Sequence, residues 1–231
     1  MELILTRDSL EKTNQKGKHY LFAGLDTNLQ KLYQNVDLPT VFKQALQDGI
    51  PWQIRAEITV ERSILSPGST YPWVAMLMAL GTMVVYPDDM KKSLTEYMKQ
   101  RTSVTGTPSG ILIPLDLEHH RICYQAVRPT PAALPLVSVS TVFEVEKNII
   151  LNAQIAITGT WRNKLGLIQT AEKLIGKTLN EAIIPEAVAL VLDEIKPVSN
   201  FQGSAEYRTA MAKVLTERAL QQCLHQGEVA K

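Results

Sequence analysis

Two different periods of hydrophobic and polar residues run along this chain of 231 residues, and the change between them falls near its middle. In the first half, residues 70–80 (Thr-Tyr-Pro-Trp-Val-Ala-Met-Leu-Met-Ala-Leu) are apolar almost all round, the mark of a helix buried on several faces. Pro72 suits the first turn of that helix and Gly81 its C-terminal end. Around it the pattern predicts a helix-prone start, a short strand Tyr20 to Ala23, a Gly-Leu-Asp-Thr-Asn loop, and two helical stretches separated by Val36 to Pro39. Residues 51–65 read as extended, Thr82 to Tyr86 as a short buried strand, and Met90 to Lys99 as a short helix. Residues 102–110 (Thr-Ser-Val-Thr-Gly-Thr-Pro-Ser-Gly) look most like a linker, and a lobe boundary is placed there.

Beyond the linker the period becomes two. Ile111, Ile113, Leu115 and Leu117 alternate with other types, as do Val137, Val139, Thr141, Phe143 and Val145, and then Leu151, Ala153, Ile155 and Ile157. Alternation of this kind predicts half-buried antiparallel strands with one wet face. Glu146 to Asn148 is short enough to close a hairpin between the last two. Three helices follow: about 167–175 stopped by Gly176, about 179–194, and 205–224. Thr178 with Glu181 predicts a capping box for the middle one, and Pro185 must sit early in it or kink it. Ser204 is the expected N-cap of the last helix, whose Tyr207, Met211, Val214, Leu215 and Ala219 form an apolar stripe. The C-terminal half is therefore a meander of three or four strands followed by helices, and the expected class is α+β.

Composition narrows the function by exclusion. The 24 basic and 23 acidic side chains leave a net charge of +1, which argues against a phosphate-tracking surface for nucleic acid. No run approaches the roughly 18 uncharged apolar residues that span a bilayer, and the early acid in Met-Glu-Leu-Ile-Leu-Thr-Arg-Asp leaves no secretory signal visible. A soluble cytoplasmic protein without membrane contact is expected. Cys123 and Cys223 stand a hundred residues apart in no motif, so a disulfide between them has no support beyond their number and they read as buried thiols, not as ligands of an iron–sulfur cluster, which takes about four. Glu118, His119, His120 and Cys123 resemble a metal cluster on paper. Adjacent residues on a strand point to opposite faces, however, and a polar strand edge is the stronger reading. Trp52, Trp73 and Trp161 read as core or interface side chains, and no nucleophile–base or paired-carboxylate arrangement stands out.

The most specific string is Pro197-Val-Ser199-Asn200-Phe-Gln-Gly203-Ser204-Ala205-Glu206-Tyr207-Arg208, set directly before the last helix. It resembles the closing signature of the C-terminal domain in the flavoprotein (medium) subunits of molybdenum hydroxylases, the carbon monoxide dehydrogenase and xanthine dehydrogenase type. The likeness implies a remnant of the flavin-binding lobes over 1–101 and a flavoprotein C-terminal-type domain over 111–224. It implies FAD as cofactor, held by two glycine-rich turns whose backbone amides approach the diphosphate closely. The first family turn, roughly A-G-G-T-D-L, is best matched by Ala23, Gly24, Leu25, Asp26, Thr27, Asn28 and Leu29. The second, roughly Q-I-R-N-x-A-T-I-G-G-N, is matched by Gln53 to Ser63, with Thr59 and Ser63 as candidate cofactor contacts. Arg128 fits a family position near the flavin side.

Here the chain departs from the pattern. Leu25 replaces one glycine of the first turn, Glu61 and Arg62 replace both glycines of the second, and Ser63 replaces its asparagine. The stretch between the two turns is much shorter here than in the family. Ser66-Pro67-Gly68-Ser69-Thr70 keeps a serine–proline pair without the family's acid. Two functions therefore stay open from sequence. One is an oxidoreductase subunit relaying electrons through FAD, which the resemblance implies arrive from a molybdopterin partner subunit by way of an iron–sulfur partner subunit. The other is a flavin-free structural or docking subunit, in which Ala23–Leu29 is an ordinary strand-to-helix turn capped by Asp26 or Thr27. A homo-oligomer is compatible with either.

Overall fold

The computed structural model describes residues 6–65, 71–100, 106–130, 133–161 and 164–226. It is an α+β protein, as expected, built on two antiparallel sheets. The first sheet opens with a hairpin where the pattern predicts a helix-prone start. Strands β1 (Leu10–Gln15) and β2 (Lys18–Gly24) pair in register from Gln15 opposite Lys18 to Leu10 opposite Ala23. Lys16 and Gly17 both take positive φ between them, the two-residue turn that matches the twist of a hairpin. Tertiary pairing thus overrides the helical leaning of Leu-Glu-Lys-Thr-Asn-Gln.

Short helices α1 (Leu29–Gln34), α2 (Thr40–Gln47), α3 (Trp52–Glu57) and α4 (Val60–Leu65) follow. The last two replace the extended stretch expected over 51–65. Pro51 caps α3 and the Ile58 amide closes it onto the Ile54 carbonyl, so each helix ends after about two turns. Helix α5 (Pro72–Ala79) is buried along its whole length, with Pro72 in its first turn and Gly81 at φ +73° just beyond. Strands β3 (Met83–Val85) and β4 (Lys91–Ser93), helix α6 (Leu94–Gln100) and strand β5 (Gly110–Pro114) complete this half. The helix expected over 90–99 is thus part strand. Strand β5 lies between β2 and β3 in the order β1-β2-β5-β3-β4, so Ile111 and Ile113 belong to the first sheet. The change of sheet comes between Pro114 and His120.

The second sheet has the order β6-β7-β8-β9, from β6 (His120–Val127), β7 (Val137–Glu146), β8 (Ile149–Trp161) and β9 (Lys164–Leu167). Lys147 and Asn148 close the predicted hairpin with positive φ at both. A 3-10 helix (Gln169–Leu174), α7 (Ile183–Glu194) and α8 (Ala205–His225) follow. The capping box does not form: Thr178 bridges Ile149, the Asn180 side chain accepts from the Ala182 amide, and α7 starts later. Pro185 falls in its first turn, where a missing N–H costs nothing.

The expectation of one wet sheet face is also corrected. Val139, Phe143, Ile155 and Ile157 face a core shared with α7 and α8. Ile122, Tyr124, Val142 and Ala156 on the opposite face join the core that contains α5 and the first sheet. Both faces are covered, and α5 is apolar all round because it is enclosed between the second sheet and α2. Trp73 is fully buried there, edge-on to Phe42 at 6.4 Å. Trp52, by contrast, is exposed on α3, and the side chain of Trp161 lies outside the described residues.

Candidate functional site

The two candidate turns meet. Asn28 and Thr59 form an isolated antiparallel bridge, with the Leu29 amide donating to the Ile58 carbonyl and the Val60 amide to the Thr27 carbonyl, each at 2.9 Å. Local sequence explains the rest. Asn28, rather than Asp26 or Thr27, caps α1, its side chain accepting from the Lys31 amide. Thr59 Oγ1 accepts from the Arg62 amide at 3.3 Å at the start of α4. Ser63 Oγ donates to the Val60 carbonyl at 2.8 Å and is buried. Ala23, Leu25 and Leu29 are core residues, and Thr27 is fully buried with its hydroxyl donating to the Ser9 carbonyl.

Whether such turns suit a diphosphate depends on free amides. The Gly24 amide donates to the Ser9 carbonyl, Leu25 to Ser109, Asp26 to Arg7, Thr27 to Gly24, and Glu61 to Leu25. These donors are already satisfied within the chain, and the close approach that glycine allows is used up as well. A Cβ at Gly24 would lie 2.3 Å from the Arg7 carbonyl oxygen. Charge works in the same direction. The Arg7 guanidinium donates to both Asp26 oxygens at 3.1 Å, pairs with Glu61 at 2.9 Å, and donates to the Pro108 carbonyl at 2.8 Å. The hydrogen bond to Asp26, then that to Glu61, hold Arg7 charged well above the usual range for an arginine. One cation is thus bound to two carboxylates, one from each turn. The residues at these turns do not fit a diphosphate: their amides are engaged and their carboxylates would repel it. The Ser66–Thr70 string lies outside the described residues.

The remaining candidates resolve into structural roles. Arg128 forms an ion pair with Asp48, which is buried at the C-terminal cap of α2 and also accepts from Tyr124 Oη at 2.8 Å. That pair ties the first half to the second sheet. Among the described residues no three His, Cys, Asp or Glu side chains, His119 and His120 included, come together in a way that could hold a metal ion. The buried Nδ1 of His120 has no hydrogen-bond partner among them, and burial pushes its pKa down.

The signature string forms a clamp. Ser204 Oγ accepts from the Tyr207 amide as the expected N-cap, and Ser199 Oγ accepts from the Ala205 amide at 2.8 Å. Asn200 Oδ1 accepts from the amides of Gln202 and Gly203 and from Arg208 Nη2. Arg208 Nη1 donates to the carbonyls of Leu136 and Gly159, each at 2.8 Å. Gly159 sits at φ +77°, where a Cβ would lie 1.9 Å from the Leu136 oxygen, so only glycine lets β8 pass the 133–136 loop. Arg208 thus joins three segments from inside the fold, a role that sequence reasoning did not give it. The visible signal was an arginine closing a specific string in the first turn of an amphipathic helix.

This architecture has known counterparts. The family model for the CO dehydrogenase flavoprotein C-terminal domain matches residues 122–223, from β6 to α8. The glyceraldehyde dehydrogenase medium chain of Sulfolobus acidocaldarius is 26% identical over 106 residues, covering 46% of this chain and 38% of that protein. The carbon monoxide dehydrogenase medium chain of Afipia carboxidovorans is 26% identical over 113 residues, covering 49% and 39%. Each match therefore spans less than half of the relative's length. Among solved structures, reconstituted CO dehydrogenase from Oligotropha carboxidovorans superposes with a TM-score of 0.77 at 20% identity, over 94% of this chain and 78% of that one. Quinoline 2-oxidoreductase from Pseudomonas putida 86 gives 0.74 at 19%, with the same coverage. At these identities the superpositions establish the fold.

The fold is that of the medium, flavoprotein-type chains of molybdenum hydroxylases, which bears out the resemblance drawn from the signature string. More narrowly, residues 122–223 are the part of the chain that matches the CO dehydrogenase flavoprotein C-terminal domain.

Proposed function

We propose that this chain is a medium-type subunit of a molybdenum-hydroxylase-like complex that serves as a docking and structural component and holds no flavin of its own. The observation that carries this reading is the closure of the two turns on each other and on Arg7, with their amides spent and Asp26 and Glu61 turned onto one cation. Its partners would be the iron–sulfur and molybdopterin subunits of such a complex. The chain's own contribution is then shape. The clamp at Arg208 and the Asp48–Tyr124–Arg128 link hold a rigid two-sheet body against which neighbours can seat.

The rival is an electron relay through FAD, favoured by the flavoprotein description of the matched domain. In that case the bound flavin would supply the redox chemistry and this chain its orientation. Visible absorption separates the two. Purified with its partner subunits, incubated with excess FAD and desalted, the wild-type chain should carry no flavin bands of its own. The double variant Glu61→Gly/Arg62→Gly should remain free of flavin too, because the Gly24, Leu25 and Asp26 amides stay occupied. Stoichiometric flavin on the wild-type chain would overturn the proposal and reinstate the relay. Failure to copurify with any iron–sulfur or molybdopterin chain would overturn the docking role.

A further inference from the structure

Two thiols that are a hundred residues apart in sequence meet inside the C-terminal half. Cys123 on β6 and Cys223 in the last turn of α8 are both fully buried, and their sulfurs lie 2.7 Å apart, against roughly 2.05 Å for a disulfide bond. The apposition is built rather than incidental. The Arg121 guanidinium donates to the Cys223 carbonyl at 3.2 Å, and Gln125 Nε2 donates to Gln222 Oε1 at 2.9 Å. Gln226 Nε2 donates to the Ile122 carbonyl at 3.1 Å, and Thr141 Oγ1 lies 3.2 Å from the Cys223 sulfur. Polar contacts on each side of the pair therefore pin the end of α8 to β6, the outermost strand of its sheet. Both thiols are free.

We propose that Cys123 and Cys223 form a redox latch, which a hydroperoxide closes into a disulfide between β6 and α8 and a dithiol reductant reopens. The Cys223 thiolate attacks one peroxide oxygen, the O–O bond breaks, and hydroxide leaves as water after taking up a proton. The resulting sulfenic acid is attacked by the Cys123 sulfur; the S–S bond forms, the S–O bond breaks, and a second water departs with the Cys123 proton. Two thiols and one hydrogen peroxide thus give one disulfide and two waters, and thiol–disulfide exchange reverses the step. The order follows from position. Cys223 lies two residues before the end of α8, so reaching it requires release of only the terminal contacts made by Arg121, Gln125 and Gln226, whereas Cys123 is within a strand and its thiol is held protonated by the hydrogen bond with Cys223 and by burial. The bond would close residues 123–223, nearly the whole of the matched domain, and long closed loops are those in which a cross-link most restricts the unfolded chain.

The test uses the full chain in native buffer, treated with hydrogen peroxide, then alkylated in denaturant and read by intact mass and peptide mapping. Both thiols should become unavailable together, with a cross-linked peptide joining Cys123 to Cys223, a Tm raised by several degrees, and full reversal by dithiothreitol. Cys123→Ser should instead leave Cys223 accumulating oxygen, without any rise in Tm. Retention of both thiols, separate oxidation of each without a cross-link, or a cross-link that leaves Tm unchanged would each overturn the latch.

Discussion

Replacing Arg208 tests whether the signature string is a structural clamp. Its guanidinium donates to the Leu136 and Gly159 carbonyls and to Asn200 Oδ1, at 2.8, 2.8 and 2.9 Å, from a residue only 5% exposed. In Arg208→Ala the Asn200 oxygen keeps the amides of Gln202 and Gly203, so the loss falls on the two carbonyls. Each buried group left without its partner costs about 1–3 kcal/mol, and removal of the side chain adds a cavity. Against this stands relief. Arg208 Nε is buried without a partner among the described residues, and burial lowers the pKa of the guanidinium, so desolvation of the charge is recovered when it is deleted. The net expected loss is about 2–4 kcal/mol. Arg208→Met keeps much of the volume and removes the donors, which isolates the hydrogen-bond part. Urea unfolding should show a lower midpoint with unchanged slope for both variants. A loss below about 0.5 kcal/mol in Arg208→Ala, or a stabilised Arg208→Met, would mean that burying the charge costs as much as its bonds return, and would refute the clamp.

Two further outcomes follow from the same core. Glu194 ends α7 with its carboxylate accepting from the Gln169 amide and from the amide and hydroxyl of Thr170. Burial pushes its pKa up, but those hydrogen bonds outweigh it, and the net shift is downward. A depressed carboxylate contributes stability above its unfolded pKa of about 4.3 that is lost as pH falls through the lower folded value. Wild type should therefore exceed Glu194→Gln in Tm at pH 7, with the gap narrowing below about pH 4; a gap independent of pH would refute the assignment. Leu215 is buried between α8 and the second sheet. Leu215→Asp should cost more than about 4 kcal/mol in urea unfolding, and a mild effect would place α8 at the periphery.

What the sequence revealed, and what it hid, follows the range of the interactions involved. The Lys147–Asn148 hairpin, the Ser204 cap and the early Pro185 were legible because each depends on neighbours a few residues away. The stripe on α8 was drawn in the right helix and partly in phase. Leu215 and Ala219 are buried and Met211 packs against the same core, while Tyr207 is exposed; Thr216 and Cys223, which also face inward, are polar types that an apolar pattern passes over. Strand β1 was hidden for a different reason: only its pairing with β2 makes a strand of so polar a segment. Sequence could name the two thiols but not bring them together, since they are a hundred residues apart and meet only because α8 folds back on β6.

The candidate site shows the same division. Loss of glycine at positions 25, 61 and 62 was plain from sequence, but by itself it left open whether other groups compensated. Arg62 was the obvious cation for that purpose. The structure instead brings in Arg7, from outside both turns, and it pairs with Asp26 and Glu61 rather than with a ligand. The substitutions are therefore mutually consistent. Carboxylates at 26 and 61 that would each repel a diphosphate become partners for one guanidinium, and amides that would have faced phosphate oxygens donate to the chain's own carbonyls instead. A site that had merely lost a ligand would leave buried donors unpaired at a cost of about 1–3 kcal/mol each. Here that cost is met internally at every donor traced, which is the arrangement expected of a body stable without the cofactor.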